Sequence, residues 1–146
     1  QMHTNQYIID CNAILNLLFA EIVILSPKEI SLNRQVEDLL KEQVLYIPDF
    51  VITELYTVFQ RVFIKRYKLN EGDVEFYSEV IKIFFEKNIG KAITVISVES
   101  SKFEMYISSY KMKKNGISFT DYLLECLGKE YNCEVLTLDK KLKSKF

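Results

Sequence analysis

The stretch EVLTLDKKL, residues 134–142, contains a short apolar run that ends at the carboxylate of Asp139. Strict alternation between apolar and polar residues is absent from this run, which is typical of a strand covered on both faces of a parallel sheet. The chain has four runs of this kind, and we predict a strand at each: 7–9, 44–47, 93–96 and 135–138.

The segments between these runs carry apolar residues at helical spacing and are too long to be hairpin loops. Strands that alternate with helices predict right-handed crossovers and an α/β fold, a three-layer α/β/α sandwich with a mostly parallel central sheet. With 146 residues and no linker or repeat, the chain is expected to form one domain over 1–146, with 1–6 as a flexible tail. The predicted helices cover 12–21, 32–43, 49–65, 73–86, 101–113 and 118–131.

Composition excludes several kinds of catalytic site. The single histidine, His3, leaves histidine-based zinc sites, catalytic triads and histidine acid–base catalysis without their central residue. The four glycines form neither a dinucleotide-binding motif nor a P-loop. Three widely spaced cysteines predict reduced thiols, and no apolar run is long enough to span a membrane, so we expect a cytoplasmic protein. Any catalytic centre must therefore be built from carboxylates.

Four acidic residues occupy positions where a parallel α/β sheet binds ligands, beyond the carboxyl ends of its strands. Asp10 and Asp139 each follow a predicted strand, while Glu54 and Asp121 lie near the start of predicted helices. Each acid also has an ordinary structural explanation. Asp10 is a potential helix N-cap, Glu54 a partner for a nearby lysine, Asp121 a member of a capping box with Ser118, and Asp139 a turn residue. Together, four like charges at one sheet edge indicate a site for divalent cations, and hard oxygen ligands suit Mg²⁺ or Mn²⁺.

In order and context these acids resemble the PIN domain, the metal-dependent ribonuclease fold found in VapC-type toxins. The resemblance extends from Tyr7 to about Leu142. It implies that Asp10, Glu54, Asp121 and Asp139 form the catalytic site, with Asp10, Asp121 and Asp139 as metal ligands. It also implies that Asn12 supports Asp10 and that the hydroxyl of Thr137 steadies the site. The matching segments are IIDCNAIL (8–15), ITELYTVF (52–59), SFTDYLLECL (118–127) and LTLDKKL (136–142).

The chain departs from the family pattern at positions beside the acids. Cys11 stands where the family usually has Thr or Ser, and Leu142 stands where an aromatic residue is usual. Tyr122 and Glu125 replace small residues after the third acid. Glu125 lies one helical turn beyond Asp121, so it is either an outer member of the acidic group or a solvated helix residue. None of these changes removes a residue that the resemblance assigns to the metal.

The resemblance implies an Mg²⁺- or Mn²⁺-dependent endoribonuclease, a VapC-like toxin with a cognate antitoxin and a homodimeric state. The formal net charge of −1 gives no overall attraction for RNA, but local basic clusters would contact its backbone unless they are only solvated surface. A stand-alone RNA-processing nuclease, a non-catalytic RNA- or protein-binding module, and another phosphate hydrolase are the alternatives. Asn12 disfavours the last, because an Asp-x-Asp motif requires a second aspartate there. The candidate RNA-binding residues are Lys65, Arg66, Lys113, Lys114, Lys140 and Lys141.

Overall fold

The computed structural model describes residues 5–111 and 116–138, and the bounds below refer to that part of the chain. Its strands form one sheet in the order β3-β2-β1-β4, and every neighbouring pair is parallel. Each strand overlaps a predicted apolar run, so the predicted parallel sheet is confirmed. The strands are β1 (Tyr7–Ile9), β2 (Leu45–Pro48), β3 (Ile93–Ile96) and β4 (Glu134–Leu136).

Helices connect each strand to the next. Between β1 and β2 lie α1 (Cys11–Leu18) and α2 (Pro27–Leu40). Between β2 and β3 the chain forms α3 (Asp49–Val58), a π-helical turn (Phe59–Phe63), α4 (Ile64–Arg66) and α5 (Glu71–Asn88). From β3 to β4 it forms α6 (Ser100–Ser109) and α7 (Phe119–Glu130). No helix among the described residues is long and apolar enough to cross a membrane.

The strand order assigns these helices to two layers. The connections from β1 to β2 and from β2 to β3 run in the same direction across the sheet, whereas the connection from β3 returns past β1 to β4. Right-handed crossovers place connections that run in opposite directions on opposite faces. The helices α1 to α5 therefore cover one face, and α6 and α7 cover the other, which confirms the three-layer α/β/α sandwich.

Most helix boundaries differ from the prediction, and two of the larger differences are at the start of α2 and at the end of α6. The helix α2 begins at Pro27 rather than at position 32, because Ser26 and Glu29 form a reciprocal capping box. The helix α6 ends at Ser109, where the backbone of Tyr110 becomes extended. Local capping groups, which apolar spacing does not reveal, set the first of these boundaries.

A continuous apolar core fixes the sheet and the helices that pack on it. The side chains of Ile8, Ile9 and Ile47 are fully buried between the layers. On the α1 side, Phe19 is also fully buried and packs against Phe59, Phe63 and Tyr77, with ring centroids 4.5–5.4 Å apart. This packing holds α1, the π-helical turn and α5 together beside the carboxyl end of β1.

Candidate active site

The direction in which the chain adds strands to the sheet reverses at β1, and this reversal creates a crevice at the carboxyl ends of the strands. The chain leaves β1 toward β2 on one side, while β4 pairs with β1 on the other side. In open α/β sheets this point of reversal, beyond the carboxyl ends of the strands, is where ligands bind. Asp10 follows β1 and Thr137 follows β4, and the backbone N–H of Asp10 donates to the carbonyl of Leu136 at 3.0 Å. The polar residues that follow both strands therefore lie in this crevice.

Asp10 is buried, at 3% exposure, and both of its carboxylate oxygens accept hydrogen bonds. Oδ1 accepts from the backbone N–H of Cys11 at 2.7 Å, as the N-cap of α1. Oδ2 accepts from the hydroxyl of Thr137 at 2.8 Å. Asp10 therefore caps α1 with one carboxylate oxygen and contacts Thr137 at the sheet edge with the other. The helix-capping role and the place in the candidate site are thus compatible.

Glu54 extends from α3 toward Asp10 and accepts a hydrogen bond from the thiol of Cys11, with 3.0 Å between Sγ and Oε1. One ligand atom from each of Asp10, Cys11 and Glu54 lies within 4.8 Å of the other two. Burial raises the pKa of Glu54, the thiol hydrogen bond opposes that rise, and the charge of Asp121 adds to it. Burial, followed by the charge of Asp10, also raises the pKa of Cys11, so its thiol stays protonated and acts as a donor.

Asp121 lies in the first turn of α7, where its backbone N–H donates to the hydroxyl of Ser118 at 3.1 Å. This contact is the half of the predicted capping box that the structure shows. The carboxylate of Asp121 is close enough to raise the pKa of both Glu54 and Cys11. Because α3 and α7 lie on opposite faces of the sheet, Glu54 and Asp121 come to this edge from opposite layers. Three of the four predicted acids, which we call the acidic cluster, thus lie at one sheet edge: Asp10 and Glu54 within 4.8 Å of each other, and Asp121 farther out but within electrostatic range of Glu54.

The remaining predicted residues have varied positions. Asp139, Lys113, Lys114, Lys140 and Lys141 lie outside the described residues. The carboxylate of Glu125 is half-buried and accepts from Lys129 Nζ at 3.0 Å, an ion pair along α7. Asn12 is exposed, and its Oδ1 lies 3.9 Å from the sulfur of Cys11. Lys65 and Arg66 are exposed at the end of α4.

A polar cavity of about 300 Å³ opens beside the acidic cluster. Two of its lining residues, Asn12 and Leu138, directly follow Cys11 and Thr137 in the chain, which places the cavity next to the cluster. Of its lining residues, sequence reasoning assigned only Asn12 and Arg66 to a site, and it missed Asn16 and Tyr67 among others. The available signal for Asn16 was a lone amide within the apolar segment AILNLLFA (13–20). The other lining residues are Val23, Glu29 and Phe63.

The chemistry of the acidic cluster suits a hard divalent cation. Asp10, Glu54 and Asp121 offer only carboxylate oxygens, the ligands that Mg²⁺ and Mn²⁺ prefer. The adjacent sulfur of Cys11 is held as a protonated hydrogen-bond donor, which disfavours a thiolate site for a softer metal. Two carboxylates within 4.8 Å of each other also repel, and a bound cation would neutralise that repulsion. The residues present therefore fit the predicted ion.

Comparisons with known proteins bear on the fold. No family model and no curated protein matches the chain. Among solved structures, the chain is similar to the crystal structure of PAE2754 from Pyrobaculum aerophilum, with a TM-score of 0.65 and 15% sequence identity. The similarity covers 97% of this chain and 79% of that one. At this level of identity, the likeness shows a shared fold.

Proposed function

We propose that this protein is an Mg²⁺- or Mn²⁺-dependent endoribonuclease of the PIN type. The observation that carries the proposal is the meeting of Asp10 and Glu54 where the strand order of a parallel sheet reverses, with Asp121 within electrostatic range of Glu54. These acids come from one strand end and from helices on both faces, so local helix capping alone does not account for their meeting. The resemblance to VapC-type toxins supports a toxin with a cognate antitoxin and a homodimeric state as the more specific form of the proposal.

In this proposal Asp10 and Asp121 hold the ion, together with Asp139 as the resemblance implies. When bound, the ion supplies Lewis-acid stabilisation and lowers the pKa of coordinated water. Glu54 lies beside Asp10 with a carboxylate oxygen free of the Cys11 contact, so it is placed to accept a proton from the attacking water. Thr137 fixes the orientation of Asp10 through Oδ2. Attack of water on the phosphodiester with departure of the 3′ oxygen would leave 5′-phosphate and 3′-hydroxyl ends.

The cavity beside the cluster is where the substrate would continue past the cleaved bond. Arg66 lines it, and Lys65 precedes Arg66 on the same exposed helix end. These cations would attract the phosphate backbone locally even though the formal net charge of the chain is −1.

The test is cleavage of a labelled single-stranded RNA by the full chain in Mg²⁺ and in Mn²⁺, with EDTA as the metal-free condition. We expect Asp10→Asn and Glu54→Gln each to lower the cleavage rate by at least roughly a hundredfold. The first removes a carboxylate that would hold the ion, and the second removes the carboxylate that would accept the proton from water. Asp38→Asn on α2 and Glu86→Gln on α5 are matched controls, because both replace exposed carboxylates on helices outside the cluster.

Cleavage that persists in EDTA would remove the metal from the proposal. Equal rates in wild type and Asp10→Asn would remove the site. Metal-independent RNA binding without cleavage by any form of the protein would instead favour the non-catalytic module.

A further inference from the structure

We propose that the cavity beside the acidic cluster is a subsite for a purine base of single-stranded RNA. The proposal deepens the proposed nuclease function, on which it rests for the identity of the polymer. At about 300 Å³ the cavity lies at the lower limit of ordinary ligand pockets, roughly 300–1,000 Å³, which suits one base better than a folded peptide segment.

The strongest observation is the side chain of Asn16. It lines the cavity at 9% exposure, and its amide has no hydrogen-bond partner among the described residues. Its polar atoms reach the solvent of the cavity, since the only fully buried side-chain polar atom without a partner among the described residues is Oδ1 of Asn33. The amide of Asn16 is therefore accessible to a ligand in the cavity. The backbone carbonyl of Asn16 does have a partner, since Asn33 Nδ2 donates to it at 3.3 Å and so anchors the last turn of α1. The side-chain amide of Asn16, which has no partner, is thus carried by a backbone that is held in place.

The other lining groups have the chemistry of base recognition. Asn12 lies one turn before Asn16 on α1, so both amides border the same cavity. Arg66 is exposed and forms no ion pair with any described residue. Asparagine pairs with N6 and N7 of adenine and arginine with O6 and N7 of guanine, so both side chains favour a purine edge. The rings of Phe63 and Tyr67, with centroids 5.4 Å apart, give the cavity aromatic surface for stacking.

The π-helical turn places Arg66 over this cavity. In it the backbone N–H of Ile64 donates to the carbonyl of Phe59, five residues back, so the turn contains one more residue than an α-helical turn. In a regular α-helix, Arg66 would be rotated from Glu54 by roughly 120° about the axis, whereas the extra residue reduces this to roughly 20°. One continuous helical segment therefore presents Glu54 to the acidic cluster and Arg66 to the adjoining cavity.

The test measures RNA binding in EDTA, so that it does not depend on cleavage. The probes are a fluorescein-labelled uridine heptamer and two variants that carry adenine or guanine at the central position, and fluorescence anisotropy gives the affinity of the full chain for each. We expect a purine heptamer to bind roughly tenfold tighter than the uridine heptamer, and Asn16→Ala to abolish that preference. Arg66 is exposed, so Arg66→Ala should fold normally. The substitution should lower the affinity for the purine heptamers more than the affinity for the uridine heptamer. Arg34→Ala removes the same charge from the exposed surface of α2 and should leave the ratio unchanged.

Equal binding of the three heptamers by wild type overturns the proposal. The proposal is also overturned if Arg66→Ala and a folded Asn16→Ala variant both keep the purine preference of wild type. It is overturned as well if Arg66→Ala and Arg34→Ala weaken the binding of all three heptamers by the same factor, since the loss would then follow total charge alone. If wild type prefers purine but cleaves nothing in Mg²⁺ or Mn²⁺, the subsite stands and the nuclease proposal fails. If it cleaves RNA without any purine preference, the nuclease proposal stands and the subsite fails.

Discussion

The hydroxyl of Thr137 donates to Oδ2 of Asp10 at 2.8 Å, and both residues are buried. The two residues are 127 positions apart in the chain and meet because β1 and β4 are neighbours in the sheet. The contact thus connects the two ends of the fold at the point where the acidic cluster is assembled. It also leaves Oδ1 directed to the N-terminus of α1, through the N–H of Cys11.

Replacement of Thr137 by Val keeps the shape of the side chain and removes its hydroxyl. We expect activity and metal affinity to fall by about 10- to 100-fold, the usual cost of losing a group that orients a metal ligand. Thr137→Ser retains a hydroxyl and should recover most of the loss. Cleavage rate as a function of Mn²⁺ concentration separates weaker metal binding from a slower reaction. If Thr137→Val and Thr137→Ser behave alike, the hydroxyl does not orient Asp10.

Cys11 gives a second prediction, because its protonated thiol donates to Glu54 at 3.0 Å. Cys11→Ser keeps a donor and should keep the activity, whereas Cys11→Ala removes a contact that lowers the pKa of Glu54. If Glu54 accepts the proton, the acidic limb of the pH–rate profile should therefore shift to higher pH in Cys11→Ala alone. Profiles for wild type and both variants are the measurement, with the exposed Glu86→Gln variant as a control for general charge effects. An identical acidic limb in all of them would show that the thiol does not act through Glu54.

Sequence patterns predicted the sheet and the placement of Asp10 at its edge for a common physical reason. Apolar runs identify buried parallel strands, and the carboxyl ends of such strands lie at one edge, so the placement of Asp10 follows from Tyr7 to Ile9. The pairing of Glu54 with the Cys11 thiol was not predictable, because it depends on the rotation of α3 against the sheet. The cavity was missed since its walls come from α1, α2 and α4, and only packing brings Asn16 and Arg66 together.

The raised pKa of Glu54 predicts a pH dependence of stability in the metal-free protein. A carboxyl whose pKa in the folded state is above its ordinary value of 4.5 favours folding while it is protonated. This contribution is present below pH 4.5 and is lost as the pH rises through the raised value. In EDTA, wild type should therefore lose stability relative to Glu54→Gln over that range. Chemical denaturation at a series of pH values tests the difference, and Glu86→Gln, which keeps Glu54, should lose stability in parallel with wild type.

The last prediction is that the charge of Asp121 lowers the thermal stability of the metal-free protein and raises the thermal stability of the metal-bound protein. In EDTA its charge raises the pKa of Glu54, so it disfavours the ionised cluster, and Asp121→Asn should unfold at a higher temperature than wild type. At a metal concentration 100 times Kd, binding should stabilise wild type by about 2.7 kcal/mol, and the variant should lose most of that gain. The order of the two melting temperatures should therefore reverse when Mn²⁺ replaces EDTA. Asp38→Asn should follow wild type in both conditions, and a difference between Asp121→Asn and wild type that stays the same when Mn²⁺ replaces EDTA would contradict the assigned roles.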